Sequence, residues 1–477
     1  MIPLLTADEQ RALEQDAIQG WGMPSLVLQE TAAAGALALL PPGEALQVLA
    51  GPGNNGGDAL ALARLAVLQG REVTVWTLHP QPTWTGDAAH QAALWEGLSR
   101  GYAWTEAPEE RVATFRGWVV DGLFGLGTRL PLPERAMGWV RALSAPGGRG
   151  FRVLALDLPT GLDPSAGAVL GPAVRADVTA CFGHRKICHG LRPALDACGE
   201  LRVVPIPLRR LPEPRLGLME APRIHRSGAW SAHKRDFGHV GIRAGTSGMS
   251  GAAVLAALGA LTSGAGLVTV LPDPEVRSDV AAQVPEAMVR PWEGRVPEGI
   301  DVLLVGPGGV AEVPDWDGPL VLDASALKPG EGPRWISRHQ TVLTPHVGEF
   351  RRLFETTAPL GTADERIQRA LEVASGPGLL VLKGPQTLLA GGQDAQVWVN
   401  PTGHPGLATG GTGDLLAGLI AGQMAQAWKA GADLRTAVAA AVWLHGAAAD
   451  RLGQGPLLVR ELAMELPRLL RELARGD

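Results

Sequence analysis

Short apolar runs alternate with longer Ala/Leu-rich stretches along nearly the whole chain, and few folds can accommodate that alternation. In the first part, residues 46–50, 73–78, 118–120, 153–156 and 178–182 read as strands. The pattern resumes at 240–244, 267–271, 302–305, 320–322, 342–344, 379–382 and 396–399. Strands separated by helix-length segments imply βα units on mostly parallel sheets, so the fold class is α/β. With 477 residues the chain exceeds one ordinary core and suits two domains of roughly 200 to 260 residues. The Pro/Arg-dense stretch Pro205-Ile206-Pro207-Leu208-Arg209-Arg210-Leu211-Pro212-Glu213-Pro214 disfavours helix and sheet interiors and marks the boundary. At the start, Thr6-Ala7-Asp8-Glu9 fits a capping box opening a helix over 7–18.

Composition narrows the functional classes. A hydrophobic share of 46% with 19% charged residues is that of a folded chain. Net charge of -6 and the lack of a long Lys/Arg run argue against nucleic acid or acidic membranes as partners. Small molecules are expected instead, bound by a homo-oligomer. Three cysteines, Cys181, Cys188 and Cys198, form no CxxC pair, and the opening residues carry neither a basic leader nor a long apolar core, so a reducing cytoplasm is expected.

The run 46–50 leads into Gly51-Pro52-Gly53-Asn54-Asn55-Gly56-Gly57-Asp58, with a helix expected over 59–69. Glycines 51, 53 and 56 match GxGxxG, yet the ribose-binding acid of a dinucleotide fold is missing where the second strand ends in Val75-Trp76-Thr77-Leu78-His79. Hydride transfer is therefore disfavoured. Two further acids, Asp121 and Asp157, close predicted strands, so three polar loops converge on one sheet edge. Taken singly, Asn54 and Asn55 could supply a left-handed turn, and Asp121 and Asp157 could cap turns.

Taken together, these residues resemble the NAD(P)H-hydrate epimerases over residues 1–210. The resemblance implies a Rossmann-like three-layer α/β domain at 1–212. It implies that Asn54, Asn55, Gly56, Gly57 and Asp58 contact a hydrated nicotinamide nucleotide, and that Asn55, Asp121 and Thr160 hold a potassium ion. Gly125, Leu126, Gly127, Thr128, Arg129, Leu130 and Pro131 would grip the ligand's phosphates. Asp157 would also contact the substrate and act as acid/base, since inverting the hydroxyl carbon requires moving protons. Thr128 and Leu126 stand exchanged relative to the usual loop, Thr160 replaces the commoner Ser, and Ala59 the usual Gly.

In the second part, Asn400-Pro401-Thr402-Gly403-His404-Pro405-Gly406-Leu407-Ala408-Thr409-Gly410-Gly411-Thr412-Gly413-Asp414 runs straight into an amphipathic pattern. Free N–H groups and the dipole at such a helix start form an anion site. Asp414 there can take a proton from a hydroxyl while the N–H groups neutralise a phosphoryl group in transfer. The structural alternative is that Asp414 is an N-cap after a flexible turn. The GTGD pattern resembles the ribokinase-like phosphoryl-transfer enzymes.

The subclass comes from His233-Lys234-Arg235-Asp236-Phe237-Gly238, Gly245-Thr246-Ser247-Gly248, Gly264-Ala265-Gly266, Val305-Gly306-Pro307-Gly308, Leu343-Thr344-Pro345-His346 and Leu382-Lys383-Gly384. As a set these look like the ADP/ATP-dependent NAD(P)H-hydrate dehydratases, over residues 218–477. The resemblance implies that Ala253, Gly308, His346, Val347, Gly348, Glu349, Phe350, Arg351, Arg352 and Asp414 face the hydrated nucleotide. Lys383, Gly384, Pro385, Gln386 and Thr387, with the segment from His404, Pro405, Gly406, Leu407, Ala408 and Thr409 to Gly410, Gly411, Thr412 and Gly413, would contain ADP or ATP, accompanied by Mg2+. Lys383 could equally be a solvated strand-end lysine and His346 a satisfied loop histidine. Arg235 stands where glycine is usual, and Gly309-Val310 replace Leu-Gly. A dual activity is expected: epimerising the hydrate and dehydrating its S form. The other classes left open are a ribokinase-type small-molecule kinase and a first domain that only binds nucleotide.

Overall fold

The computed structural model describes residues 1–98, 100–128, 131–144, 150–169, 171–209, 214–223, 231–392 and 396–475. The expected phosphate-loop residues Arg129 and Leu130, and connector positions 210–213, lie outside them. Two compact units form: Pro3–Pro214 with Thr362–Asp364, and Met1–Ile2 with Arg215–Gly361 and Glu365–Asp477. Strand β1 (Ile2–Pro3) belongs to the second unit's sheet.

The first unit carries β2 (Leu46–Ala50), β3 (Val73–Thr77), β4 (Gly117–Gly122), β5 (Phe151–Leu156), β6 (Val178–Phe182) and β7 (Glu200–Val204). Their order is β3-β2-β4-β5-β6-β7, every pair parallel. The chain leaves β2 for β3 on one side and returns to β4 on the other, so the order reverses between β2 and β4. In open parallel sheets that reversal opens a crevice outside the strands' carboxyl ends, which here are Ala50 and Gly122. Two apolar layers cover the sheet, and the tryptophans serve them: Trp76 packs 5.7 Å from both Phe115 and Trp139. β7, an edge strand with three of five residues exposed, lacks the apolar run that periodicity can detect.

The expected first helix forms over Ala7–Gln15 with its capping box, then widens into a π-helical turn at Asp16–Gly20. The second begins earlier than expected, at Asn54, and ends at Leu68. Asn54 and Asn55 therefore occupy its first turn and adopt no left-handed conformation. Glycine makes this start possible: a methyl on Gly51 would fall 1.7 Å from the Leu123 carbonyl oxygen, and one on Gly56 1.7 Å from that of Gly51.

The second unit holds β8 (Leu216–Leu218), β9 (His239–Arg243), β10 (Leu267–Val270), β11 (Met288–Val289), β12 (Val302–Val305), β13 (Leu320–Leu322), β14 (Thr341–Leu343), β15 (Leu379–Leu382), β16 (Leu388–Gly391) and β17 (Val397–Val399). The sheet runs β1-β8-β17-β16-β15-β14-β13-β12-β9-β10-β11. From β10 through β15 the pairs are parallel, and β16 is antiparallel to both neighbours. The reversal point lies between β9 and β12. β16 was not expected, because Leu388-Leu389-Ala390-Gly391 contains no β-branched residue and is held by its hairpin partner. The parallel strands are buried on both faces, as Val302 to Val305 at 0% exposure illustrate.

Helix Thr412–Ala430 crosses helix Ser250–Thr262 almost backbone to backbone. A methyl on Gly418 would lie 1.9 Å from the Ala256 carbonyl oxygen, and one on Gly259 2.1 Å from that of Leu415. This crossing fixes the helix that carries Asp414. Among the described residues no helix is long and apolar enough to cross a membrane.

Gly56→Ala is expected to destabilise the first unit by about 3 kcal/mol, the upper range for an overpacked site. Calorimetry should show its unfolding transition falling while the second unit's stays put; an unmoved first transition refutes this packing account.

Candidate active sites

At the first reversal point, Asp121 is fully buried. Its Oδ2 accepts the Thr160 backbone N–H at 2.8 Å, and its Oδ1 the Thr160 hydroxyl at 2.7 Å. The Thr160 hydroxyl in turn accepts the Phe124 N–H at 3.2 Å. Burial pushes the Asp121 carboxyl up to about 6, with the Thr160 and Leu123 hydrogen bonds opposing it and no cation among the causes. Asn55 packs against the same turn, its Cγ 3.1 Å from where a Gly125 methyl would lie, and its Nδ2 is buried without a partner. The Asp121 carboxylate, the Thr160 hydroxyl and the amide oxygen of Asn55 are hard oxygen donors, the kind a monovalent cation takes, whereas the unpartnered Asn55 Nδ2 is an N–H donor and cannot ligate one. Asn55, Asp121 and Thr160 thus fit the expected potassium ion.

Asp157, one residue past β5, has a φ of 63°, a left-handed conformation costly for a side chain with a Cβ. Its Oδ1 accepts the Phe182 N–H at 3.2 Å and is gripped by the Lys186 ammonium. Both contacts fall on Oδ1, which leaves Oδ2 for chemistry. Lys186 is fully buried and also donates to the Phe182 carbonyl at 2.8 Å. Burial works against its charge, but Asp157, the Cys181 thiol and Glu14 together hold its pKa above the ordinary lysine value. Asp58, on the helix that starts at Asn54, is driven well up by burial and then by Asp157 and Glu14. Lys186 escaped sequence reasoning because nothing in Cys181-Phe182-Gly183-His184-Arg185-Lys186 distinguishes it from a surface lysine.

The loop after Gly125 folds as a turn in which Thr128 sends both its N–H and its hydroxyl to the Gly125 carbonyl, at 2.9 and 2.6 Å. The exchanged threonine hydroxyl is therefore used to close the turn. Leu126 is half-buried, and Gly127 and Pro131 are exposed.

In the second unit, the Gly245 and Gly308 turns meet at the reversal point: the Gly245 N–H donates to the Pro307 carbonyl at 3.1 Å, and the Thr246 N–H to that of Gly308 at 2.9 Å. Gly308 has a φ of 70° and abuts Met249 and Gly245. Further along the strand ends, Lys383 bonds Asp323 Oδ1 at 2.7 Å, an oxygen that also accepts the Thr344 hydroxyl at 2.7 Å. Burial opposes the Lys383 charge, while Asp323, Glu349 and Asp414 keep its pKa raised.

Asp414 stands in the first turn of its helix, behind the left-handed Gly411 that occupies the N-cap position. It is not the N-cap itself. Burial, then Asp323 and Glu349, push its carboxyl up to about 7, against the pull of Lys383. The helix's first N–H groups have no intrahelical partner; that of Thr412 reaches the Thr409 carbonyl at 3.4 Å, and such a helix start can receive an anion. Beneath them His445, held neutral by burial at about 4, hydrogen-bonds the Thr412 carbonyl at 3.1 Å. Asp323 closes a strand in the same way as Asp121 and Asp157, a signal present in the sequence and passed over.

Several of the expected contact residues also have a place in the scaffold. Phe350 is fully buried against Phe354, with ring centroids 4.9 Å apart, and Ala253 is fully buried beneath Gly245. Each side chain completes the core under its turn, so only the backbone of these two residues is left to border a ligand. His346 caps the helix Val347–Leu353, its Nδ1 accepting the Gly348 and Glu349 N–H groups. His404 has both ring nitrogens engaged, with Gly406 N–H and the Ala449 carbonyl. The Thr412 hydroxyl goes to the Leu407 and Thr409 carbonyls. Arg351, Arg352, Gly384, Pro385, Ala408, Thr409 and Gly410 are exposed, Val347, Gly348, Thr387, Gly406, Leu407 and Gly413 intermediate, and Gln386 buried. Arg235 needs no glycine: it sits in a 3-10 turn capped by His233, and Gly238 takes the positive φ of 81°. Among the described residues no three His, Cys, Asp or Glu cluster as for a metal. A magnesium ion, which binds through one or two carboxylates plus substrate phosphates, would fit here only with a nucleotide.

Two family patterns match this chain: NAD(P)H-hydrate dehydratase over residues 240–473, and YjeF-related protein N-terminus over residues 26–188. A bifunctional NAD(P)H-hydrate repair enzyme from Moorella thermoacetica is 31% identical over 98% of this chain and 97% of its own length. The chain belongs to the bifunctional NAD(P)H-hydrate repair enzyme family. Its relative from Gloeobacter violaceus is 36% identical over 94% of this chain and 93% of that protein. The ADP/ATP-dependent NAD(P)H-hydrate dehydratase of Bacillus subtilis, crystallised with ATP and Mg2+, is 32% identical over 52% of this chain and 94% of that one, with a TM-score of 0.44.

Removing the ammonium from the first site of this repair-family member leaves a buried carboxylate unpaired. Lys186→Met should cost about 3–5 kcal/mol of first-unit stability, and adding Asp157→Asn should restore much of it; additive losses in denaturant titrations would deny the coupling. For Asp414 the sign is opposite. Its folded pKa lies above the ordinary value, so ionising it costs stability progressively as pH rises through about 7. Asp414→Asn should raise the second unit's unfolding midpoint more at about pH 8 than at about pH 5.

Proposed function

We propose that this chain repairs hydrated NADH and NADPH in two steps, epimerising the R and S hydrates in the first unit and dehydrating the S form in the second at the expense of ADP or ATP. The observation that carries the reading is the pairing of Asp414, poised at about 7, with the N-terminal turn of its helix and with Lys383, all on one edge of the sheet.

In the first unit, Asp157 Oδ2 gives a proton to the hydroxyl on the carbon beside the ring nitrogen as the nitrogen's electron pair breaks the C–O bond and releases water, and takes a proton back as water adds to the opposite face. Lys186 keeps Asp157 in place and balances its charge. Asp58, Asn54, Asn55 and the turn that follows the buried Gly125 would hold the nucleotide. Potassium, when bound to Asn55, Asp121 and Thr160, supplies the positive charge that the buried Asp121 lacks.

In the second unit, Asp414 takes the proton of the S hydroxyl as the hydroxyl oxygen bonds to the terminal phosphorus of the nucleotide and the P–O bond to the departing AMP or ADP breaks. Lys383 and the free N–H groups of the helix start stabilise the charge that develops on the phosphoryl oxygens. Magnesium, when bound with the nucleotide, would neutralise part of its phosphate charge. The ring nitrogen's electron pair then expels phosphate, and the adjacent carbon gives up a proton, restoring the double bond. Phosphate leaves far more readily than hydroxide. The segment His346 to Arg352 and the Gly308 turn would border the dinucleotide, and residues 383–387 and 404–413 the adenine nucleotide. Three free, buried cysteines agree with a reducing cytoplasm.

A racemic hydrate assay with ADP, followed by recovery of reduced-ring absorbance, tests both halves at once. Asp414→Asn should abolish recovery yet spare R/S exchange, whereas Asp157→Ala should slow exchange and leave repair of pure S hydrate intact. Loss of both activities in either variant overturns the division of labour. Dehydration of S hydrate should rise with pH and level off above about 7, the range to which Asp414 is pushed. A profile already flat from about pH 5 removes Asp414 as base.

A further inference from the structure

The helix Ala363–Val373 carries an arginine, Arg366, in its first turn. Cations are disfavoured at a helix's positive end, and this one is also only 6% exposed. Among the described residues its Nε is buried without a hydrogen-bond partner and no carboxylate acts on it, burial alone lowering its pKa. Position, desolvation and lack of a counter-ion all count against keeping an arginine here for stability. Arginine's planar fork of five donors is suited to carboxylate and phosphate oxygens. Its Nη1 is set against Gly384, where a methyl group would come within 2.8 Å of it. Gly384 is itself exposed and has no side chain of its own to shield the guanidinium from an anion resting on that turn. The preceding residue, Lys383, already has its charge balanced by Asp323 at 2.7 Å. Of the two neighbouring cations, Arg366 is the one left unbalanced.

We propose that Arg366 binds a phosphoryl oxygen of the adenine nucleotide at the Lys383–Gly384 turn, the anion it is missing arriving with the ligand. This rests on the reading of residues 383–387 as nucleotide-binding. The unpaired guanidinium is a cost that the ligand-free protein bears, so affinity and stability should move in opposite directions when it is removed. A structural arginine would behave otherwise, its loss lowering stability and leaving affinity alone.

The test uses the full chain with Arg366→Gln and Arg366→Lys. Calorimetric titration should show ADP binding weakened about tenfold or more in the Gln variant, the loss of one charge-assisted hydrogen bond, and less in the Lys variant, with adenosine binding unmoved. The ligand-free unfolding transition of the second unit should stay or rise, and R/S exchange in the first unit should be unchanged. Unaltered ADP affinity overturns the proposal, as does a fallen transition with affinity retained. A raised KM for hydrated NADPH with normal ADP binding would assign Arg366 to the dinucleotide's phosphates and also overturn it. Failure of the unaltered chain to bind ADP would instead defeat the underlying reading of residues 383–387.

Discussion

Each unit turns on a lysine ammonium set against a buried carboxylate at the carboxyl edge of a parallel sheet. Lys186 holds Asp157 in the first and Lys383 holds Asp323 in the second. In each pair the partner's opposite charge offsets part of the cost that burial imposes. The pair is what allows further acids to gather: Asp58 and Glu14 around the first, Asp414 and Glu349 around the second. With more negative than positive groups, each site forces some carboxyls upward, into the range where protons can be exchanged near neutrality.

The backbone makes these gatherings possible. Parallel strands end on one edge, and where the strand order reverses two loops part and leave a crevice. Glycine closes the remaining distances. Gly51 and Gly56 bring the Asn54 helix onto the strand-end turn, and Gly259 and Gly418 seat the helix of Asp414 against its neighbour. At each of these positions a single methyl would have to occupy space already filled by a carbonyl. The glycine-rich look of both loops thus reflects close packing of the chain on itself as much as room for a ligand.

Packing also accounts for residues within the motifs that lie in the core. Phe350 and Ala253 sit inside motifs that resemble binding segments, yet both lie in the core beneath their turns. His346 and His404 spend ring nitrogens on backbone N–H groups, fixing the loops that other residues use. A motif records which residues keep company along the chain, whereas burial decides which of them can reach a ligand.

From the sequence alone came the α/β class, most of the buried strands, the capping box at Thr6, and the strand-end acids Asp121 and Asp157 with the glycine turn before Asp414. These are local matters of periodicity, capping chemistry and turn residues, readable within a few positions. Tertiary structure alone decided that Lys186 meets Asp157 across 29 residues and Lys383 meets Asp323 across 60. It likewise placed Arg366 without a counter-ion beneath Gly384, and made strands of Glu200–Val204 and Leu388–Gly391 through their sheet partners. Charge pairing and edge-strand formation depend on what folding brings alongside, and no spacing along the chain encodes that neighbour.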